Sequence, residues 1–186
     1  MTTAVGRRGY RPPMPMKRIV LTFGLISGAL SAGMMLATLV VVHRIGFDRG
    51  EIIGYTGIVL SFLMVFFGIR SYREHAGGTI SFARGFTIGL LIALVSSACY
   101  VAAWEIIYWK MWPNFVDDYA AYAIEHARAS GASPETVAAT TRQMAEFKEM
   151  YSKPLINVAM TLMEPLPVGI IVSIISAAVL RRRPTA

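Results

Sequence analysis

The chain has 186 residues, 55% of them hydrophobic and 16% charged, with a mean hydropathy of +0.53 and a formal net charge of +7. A soluble domain carries about 25% charged residues, so the composition argues against a water-soluble globule. The positive charge flanks long apolar runs, where it sets topology and touches anionic lipid headgroups; no nucleic-acid-binding motif accompanies it.

Residues 1–18 are polar and basic, with Pro12, Pro13 and Pro15 among Arg7, Arg8, Arg11, Lys17 and Arg18. They read as a disordered cytoplasmic tail on the membrane surface. The Arg7-Arg8 pair lacks the continuation of a twin-arginine signal. The apolar run after it exceeds a signal-peptide core of roughly 7–15 residues, so the first span is expected to stay. Residues 19–182 read as one all-α membrane bundle of four transmembrane helices, and 183–186 as a short tail.

Span one covers about residues 19–42. Its Gly24, Gly28 and Ala32 make a small-residue groove where another helix packs closely. A loop over 43–51 leads to span two, about 52–69, rich in phenylalanine and ending at Arg70. The loop over 71–84 holds the turn signal Gly77-Gly78. Span three covers about 85–109, with Gly85, Gly89, Ala93 and Ser97 on one face and Tyr100, Trp104 and Tyr108 continuing that spacing. Trp104, Trp109 and Trp112 read as interfacial anchors, because an apolar ring with a polar handle suits the membrane–water boundary.

Residues 114–153 form the sizeable polar insert. Asn114 with Asp117 resembles a helix start, Gly131 a stop, and Ser133-Pro134-Glu135 a second start. Phe115, Tyr119, Tyr122 and His126 share one helical face; Val137, Thr141, Met144, Phe147 and Tyr151 share another. The insert is thus expected to be an extracytoplasmic helical hairpin whose apolar faces must bury somewhere. Span four covers about 155–180, and Pro165 and Pro167 are expected to kink it.

With the N-terminus inside, 11 of the 18 basic residues fall on the inner side, in the tails and short loops. The positive-inside rule then places both termini on the cytoplasmic side of the membrane. An ionisable residue within a span is by default a functional-site candidate. Glu105 lies 21 residues past Arg84, and Glu164 lies 17 residues before Arg181, about 31 and 25 Å along a helix. Both fall in the outer third of the bundle, near Glu51, so one polar layer is expected there. Its central groups are Glu105 and Glu164, with Tyr55, Tyr100 and Tyr108 as hydroxyl donors. Such a layer carries a proton or binds a cation or an amine; the alternative is that Glu105 is hydrated at headgroup level and Glu164 satisfies backbone freed by the prolines.

His43, His75 and His126 lie in separate loops, and Cys99 is the single cysteine, so no disulfide, metal set or cofactor is expected. No nucleophile–base motif or phosphate-binding loop occurs, and the chain does not read as an enzyme.

The layout of four spans, with Trp104-Glu105 and Tyr108, Pro113-x-Phe115 with Tyr119, and Met163-Glu164-Pro165, resembles over about residues 16–182 a bacterial four-span membrane family catalogued as a domain of unknown function. The resemblance implies a bacterial inner-membrane protein and supplies no activity. The expected role is an accessory or interaction module presenting the 114–153 hairpin to a membrane or extracytoplasmic partner protein. A small transporter or ion pathway using Glu105 and Glu164 is the alternative. The partners otherwise expected are the lipid bilayer and a second copy of the chain, through the small-residue faces.

Overall fold

The computed structural model describes residues 15–182, the side chains of 43–45 excepted. Eight α-helices follow one another: α1 (Met16–Ile45), α2 (Phe47–Ser61), α3 (Leu63–His75), α4 (Phe82–Ile106), α5 (Phe115–Ala129), α6 (Pro134–Tyr151), α7 (Pro154–Leu162) and α8 (Pro165–Leu180). Among the described residues no strand forms; a single antiparallel bridge joins Ile80 to Arg182. Four helical runs are long and apolar enough to cross a membrane: Met16–Val42, Phe47–His75, Phe82–Met111 and Pro154–Leu180. This is the build of a membrane protein.

The small-residue faces are consumed inside the chain. A Cβ built on Gly24 would stand 2.7 Å from the Cβ of Val95, and one on Gly28 would stand 2.5 Å from the Cβ of Cys99. The missing side chains therefore let the backbones of α1 and α4 meet. Gly85 and Gly89 do the same for α4 against Ala177 and Ser173 of α8. Ser27 of α1 ties three helices, bonding the carbonyl of Ser61 at 2.8 Å and the hydroxyl of Ser96 at 2.9 Å. A hydroxyl that bonds across helices satisfies itself where lipid offers no partner.

The end carrying both termini is sealed by an apolar cluster of Val20, Ile58, Phe62, Val65, Ile69, Ile88 and Ile92. Arg73 adds a 3.3 Å bond to the carbonyl of Leu180.

The structure corrects several boundaries. Helix α1 starts at Met16, so Lys17 and Arg18 belong to it and not to the tail; residues 1–14 and the tail at 183–186 lie outside the described residues. The loop expected over 43–51 shrinks to Gly46, whose φ of 82° suits glycine alone. Span two runs on to His75, because Arg70 pairs with Glu74 and His75 bonds the carbonyl of Ser71. Hydropathy marks the lipid-buried part of a helix and not its polar ends, which is why the loops were expected to be longer.

In span four the interruption expected at the prolines is a two-residue joint at Met163 and Glu164. Helix α7 ends at Leu162, and Pro165 and Pro167 fall in the first turn of α8, where the missing N–H groups have no intrahelical partner to lose. Span two has a comparable joint at Phe62, and span three ends in a π-helical turn over Ile107–Met111. Ser133 caps α6 by accepting from the N–H of Thr136, whereas Asn114 makes no side-chain cap on α5.

Candidate functional site

Helices α5 and α6 pack on each other, with Lys148 paired to Asp117 between them. Their apolar faces do not project away from the bundle. They turn onto it through a continuous set of rings. Phe47, the first residue of α2, meets Trp112 at 5.9 Å, Tyr119 at 5.6 Å and Tyr122 at 5.1 Å between ring centroids. Phe115 stands edge-on to Trp104 at 4.9 Å and to Trp112 at 5.2 Å. Tyr151 closes the set against Tyr108 and Phe147 at 5.3 and 5.0 Å. Edge-to-face and offset pairs at such spacings add to what burial alone supplies.

Beneath this roof lies a cavity of about 560 Å³, walled by α1, α2, α4, α5, α6 and α7. Three carboxylate side chains line it: Asp48 and Glu51 from the first turns of α2, and Glu164 from the break between α7 and α8. Tyr55, Tyr100, Trp104, Tyr119 and Tyr122 stand among its walls. Among the described lining residues there is no lysine or arginine. Asp48, Glu51 and Tyr55 also border a second hollow of about 620 Å³, with Ile52, Thr56, Val59 and Leu60. Ile52, Val59 and Leu60 are exposed on their span.

The break in span four is what delivers Glu164. Its backbone sits at the N-terminus of α8 but makes no cap. The side chain crosses instead to α4, where the Tyr100 hydroxyl donates to Oε2 at 2.7 Å. Other donors in the wall are also engaged. The Trp104 indole donates to the Tyr151 hydroxyl at 2.7 Å and the Trp112 indole to Asp118 at 2.6 Å. Ser31 and Thr38 bond back to carbonyls of α1. Asn157, fully buried, donates to the carbonyl of Tyr151 at 3.4 Å and accepts from Thr161 at 3.3 Å. It steadies the chain where α6 turns into α7.

Two of the roof tyrosines, Tyr151 and Tyr122, titrate late. Burial pushes the Tyr151 phenol up to about 12, with the Glu164 charge acting the same way. Asp48 pushes Tyr122 up to about 12, although the hydroxyl, shut off from solvent, closes no bond of good geometry. Because the fold favours neutral Tyr151, the stability it contributes is complete below the ordinary phenol value near 10 and is lost as pH climbs through about 12. A phenolate titration followed by ultraviolet absorbance should therefore show a late step near pH 12 that Tyr151→Phe reduces. An unchanged late step, with the loss falling near pH 10 instead, would place Tyr151 in water.

Of the residues singled out from sequence, Glu164 and Tyr55 face the cavity, joined by Tyr100 and Glu51. Glu105 and Tyr108 are not among its lining. Glu105 accepts from the Trp109 indole at 2.8 Å, its other oxygen buried without a partner, and Tyr108 is packed in the roof cluster. Trp109 is exposed on its span, as a lipid-facing ring would be, while Trp104 and Trp112 turn inward to the cavity. Sequence reasoning missed Phe47 and Asp48. Their signal was their place straight after Gly46, at the start of a helix that had been taken for loop.

Neither the curated proteins nor the solved structures hold a match to this chain. The family described as "Protein of unknown function (DUF4199)" matches residues 22–182, nearly the whole of the described bundle, and the chain belongs to it.

Proposed function

We propose that this protein is a ligand-binding protein of the bacterial inner membrane, with the α5–α6 pair as the roof of its site on the extracytoplasmic side. The observation that carries the reading is the carboxylate of Glu164, held by Tyr100 and facing a cavity of about 560 Å³ roofed by aromatic rings. Small-molecule sites are typically concave volumes of about 300–1,000 Å³ with mostly apolar walls and a few placed polar groups. The sidedness rests on Arg70, Arg73, Arg84, Arg181 and Arg182 at the end away from the roof.

Gly54 gives a test. It lines the cavity, and a Cβ there would meet nothing within 4 Å. Gly54→Leu should fill the space without strain and slightly favour the helix. Native mass spectrometry of protein taken from its own membranes should show a small-molecule adduct on the parent and none on Gly54→Leu. An adduct of equal occupancy on both would remove the cavity from the reading.

A second reading, an accessory module that presents the helix pair to a partner protein, is favoured by the exposed charged face of α6, with Glu135, Arg142, Glu146 and Glu149. Under it, charge reversal at Arg142 and Glu146 would release a co-purifying partner, and Gly54→Leu would be silent.

A further inference from the structure

We propose that the cavity takes a monovalent organic cation, a protonated amine or quaternary ammonium group carried on an apolar body. This rests on the ligand-binding reading above and names the class of ligand. The argument runs from what the walls have left to offer. The donors of Tyr100, Trp104, Trp112, Ser31 and Thr38 are already bonded to protein acceptors, so an anion finds only neutral tyrosine hydroxyls and no cationic partner among the described lining. The acceptors are in surplus: Asp48, Glu51 and Glu164 bring three carboxylate side chains, and no described lysine or arginine in the wall neutralises them. The Tyr122 hydroxyl, shut off from solvent beside Asp48, is a further polar atom of the wall.

A bare metal ion fits poorly. Divalent cations of the calcium type take about 6–8 oxygen ligands, whereas no three His, Cys, Asp or Glu side chains among the described residues gather into a group that could hold a metal. The charge is spread around a box of aromatic surface instead. With its indole N–H engaged, Trp104 can offer only π surface. A diffuse cation is attracted to the faces of Trp and Tyr rings, most strongly where water is excluded, and aromatic cages hold quaternary ammonium groups in this way. The hollow beyond Asp48, Glu51 and Tyr55, with its exposed Ile52, Val59 and Leu60, leaves room for the apolar body.

The test uses the full chain in a nonionic detergent, with choline and benzyltrimethylammonium as probes and 3,3-dimethylbutan-1-ol as the uncharged isostere of choline. Sodium and calcium chloride at matched ionic strength serve as ion controls. Tryptophan emission, to which Trp104 and Trp112 contribute from the cavity wall, and thermal stability are the readouts. The two cations should give saturable changes that the alcohol and the metal salts do not. Glu164→Gln should weaken cation binding at least tenfold. Glu51→Gln, at an exposed position, should weaken it severalfold and serves where Glu164→Gln does not fold. Equal binding of the alcohol would overturn selection by charge and leave the cavity reading standing. So would no response to either cation in a protein that still carries its native adduct. The absence of both adduct and cation response would overturn the two readings together.

Discussion

Gly28→Leu is expected to lower stability by at least about 3 kcal/mol, the upper part of the range for forcing volume into a packed core, and to leave little folded monomer. The reason is local. A Cβ at position 28 would already stand 2.5 Å from the Cβ of Cys99 and 2.8 Å from its Sγ. Neither helix can yield alone, because Ser27, one residue earlier, is bonded to α2 and α4 at once. Moving α1 outward to admit the side chain would break both bonds inside the apolar part of the bundle. The partner change is Cys99→Gly, which removes the atoms in the way. Residues in contact couple in double-mutant cycles, so Gly28→Leu with Cys99→Gly should recover much of the loss. Thermal melts and size-exclusion profiles in detergent would measure all four proteins. A Gly28→Leu variant that melts like the parent would mean that α1 and α4 do not meet at this face.

Trp104→Ala is expected to cost about 3 kcal/mol, the lower end of the range for removing a large aromatic, because the ring is half-buried. Its effect should fall on the roof first. The indole donates to Tyr151 at the end of α6 and stands edge-on to Phe115 at the start of α5, so one side chain holds both ends of the helix pair against α4. Its loss should make residues 114–153 cleavable by protease under conditions where the four spans are still assembled. Trp104→Phe keeps much of the ring and loses the donor, and should cost nearer 1 kcal/mol, as a single hydrogen bond does. Protease resistance equal to the parent's in Trp104→Ala would show that the roof is held elsewhere.

Much of this fold is legible in the sequence, and the reasons differ from part to part. The four spans stand out because twenty or so apolar residues in a row have one cheap solution in lipid, a helix. The four-residue spacing of Gly24 with Gly28, and of Gly85 with Gly89, marks the faces on which helices meet, because only a missing side chain permits that approach. The polar layer is legible in part. Counting residues from the flanking arginines gives the depth of Glu164, Glu51 and Tyr55. It cannot give azimuth, and azimuth separates Glu164, turned to Tyr100 and the cavity, from Glu105, turned to Trp109. The roof is the least legible element. A periodic set of rings on α5 says that a face must bury. It does not say that Phe47, far away in the chain, is what it buries against.

The joints in the spans divide the molecule into two parts that evolution or design can treat separately. Toward the termini, α3, α8 and the facing turns of α1 and α4 interlock through glycines and short side chains. There, almost any enlargement is punished. Toward the roof, α2, the π-helical turn and α7 continue up from that block past changes of helical geometry at Phe62, Ile107 and Met163, with α2 still tied to it at Ser61. A substitution in one part need not be transmitted to the other. New wall residues can therefore be tried around Glu164 without re-solving how the bundle assembles, and a roof from a related chain should be graftable onto this base. The base carries the fold, and the residues of the cavity wall are free to drift above it.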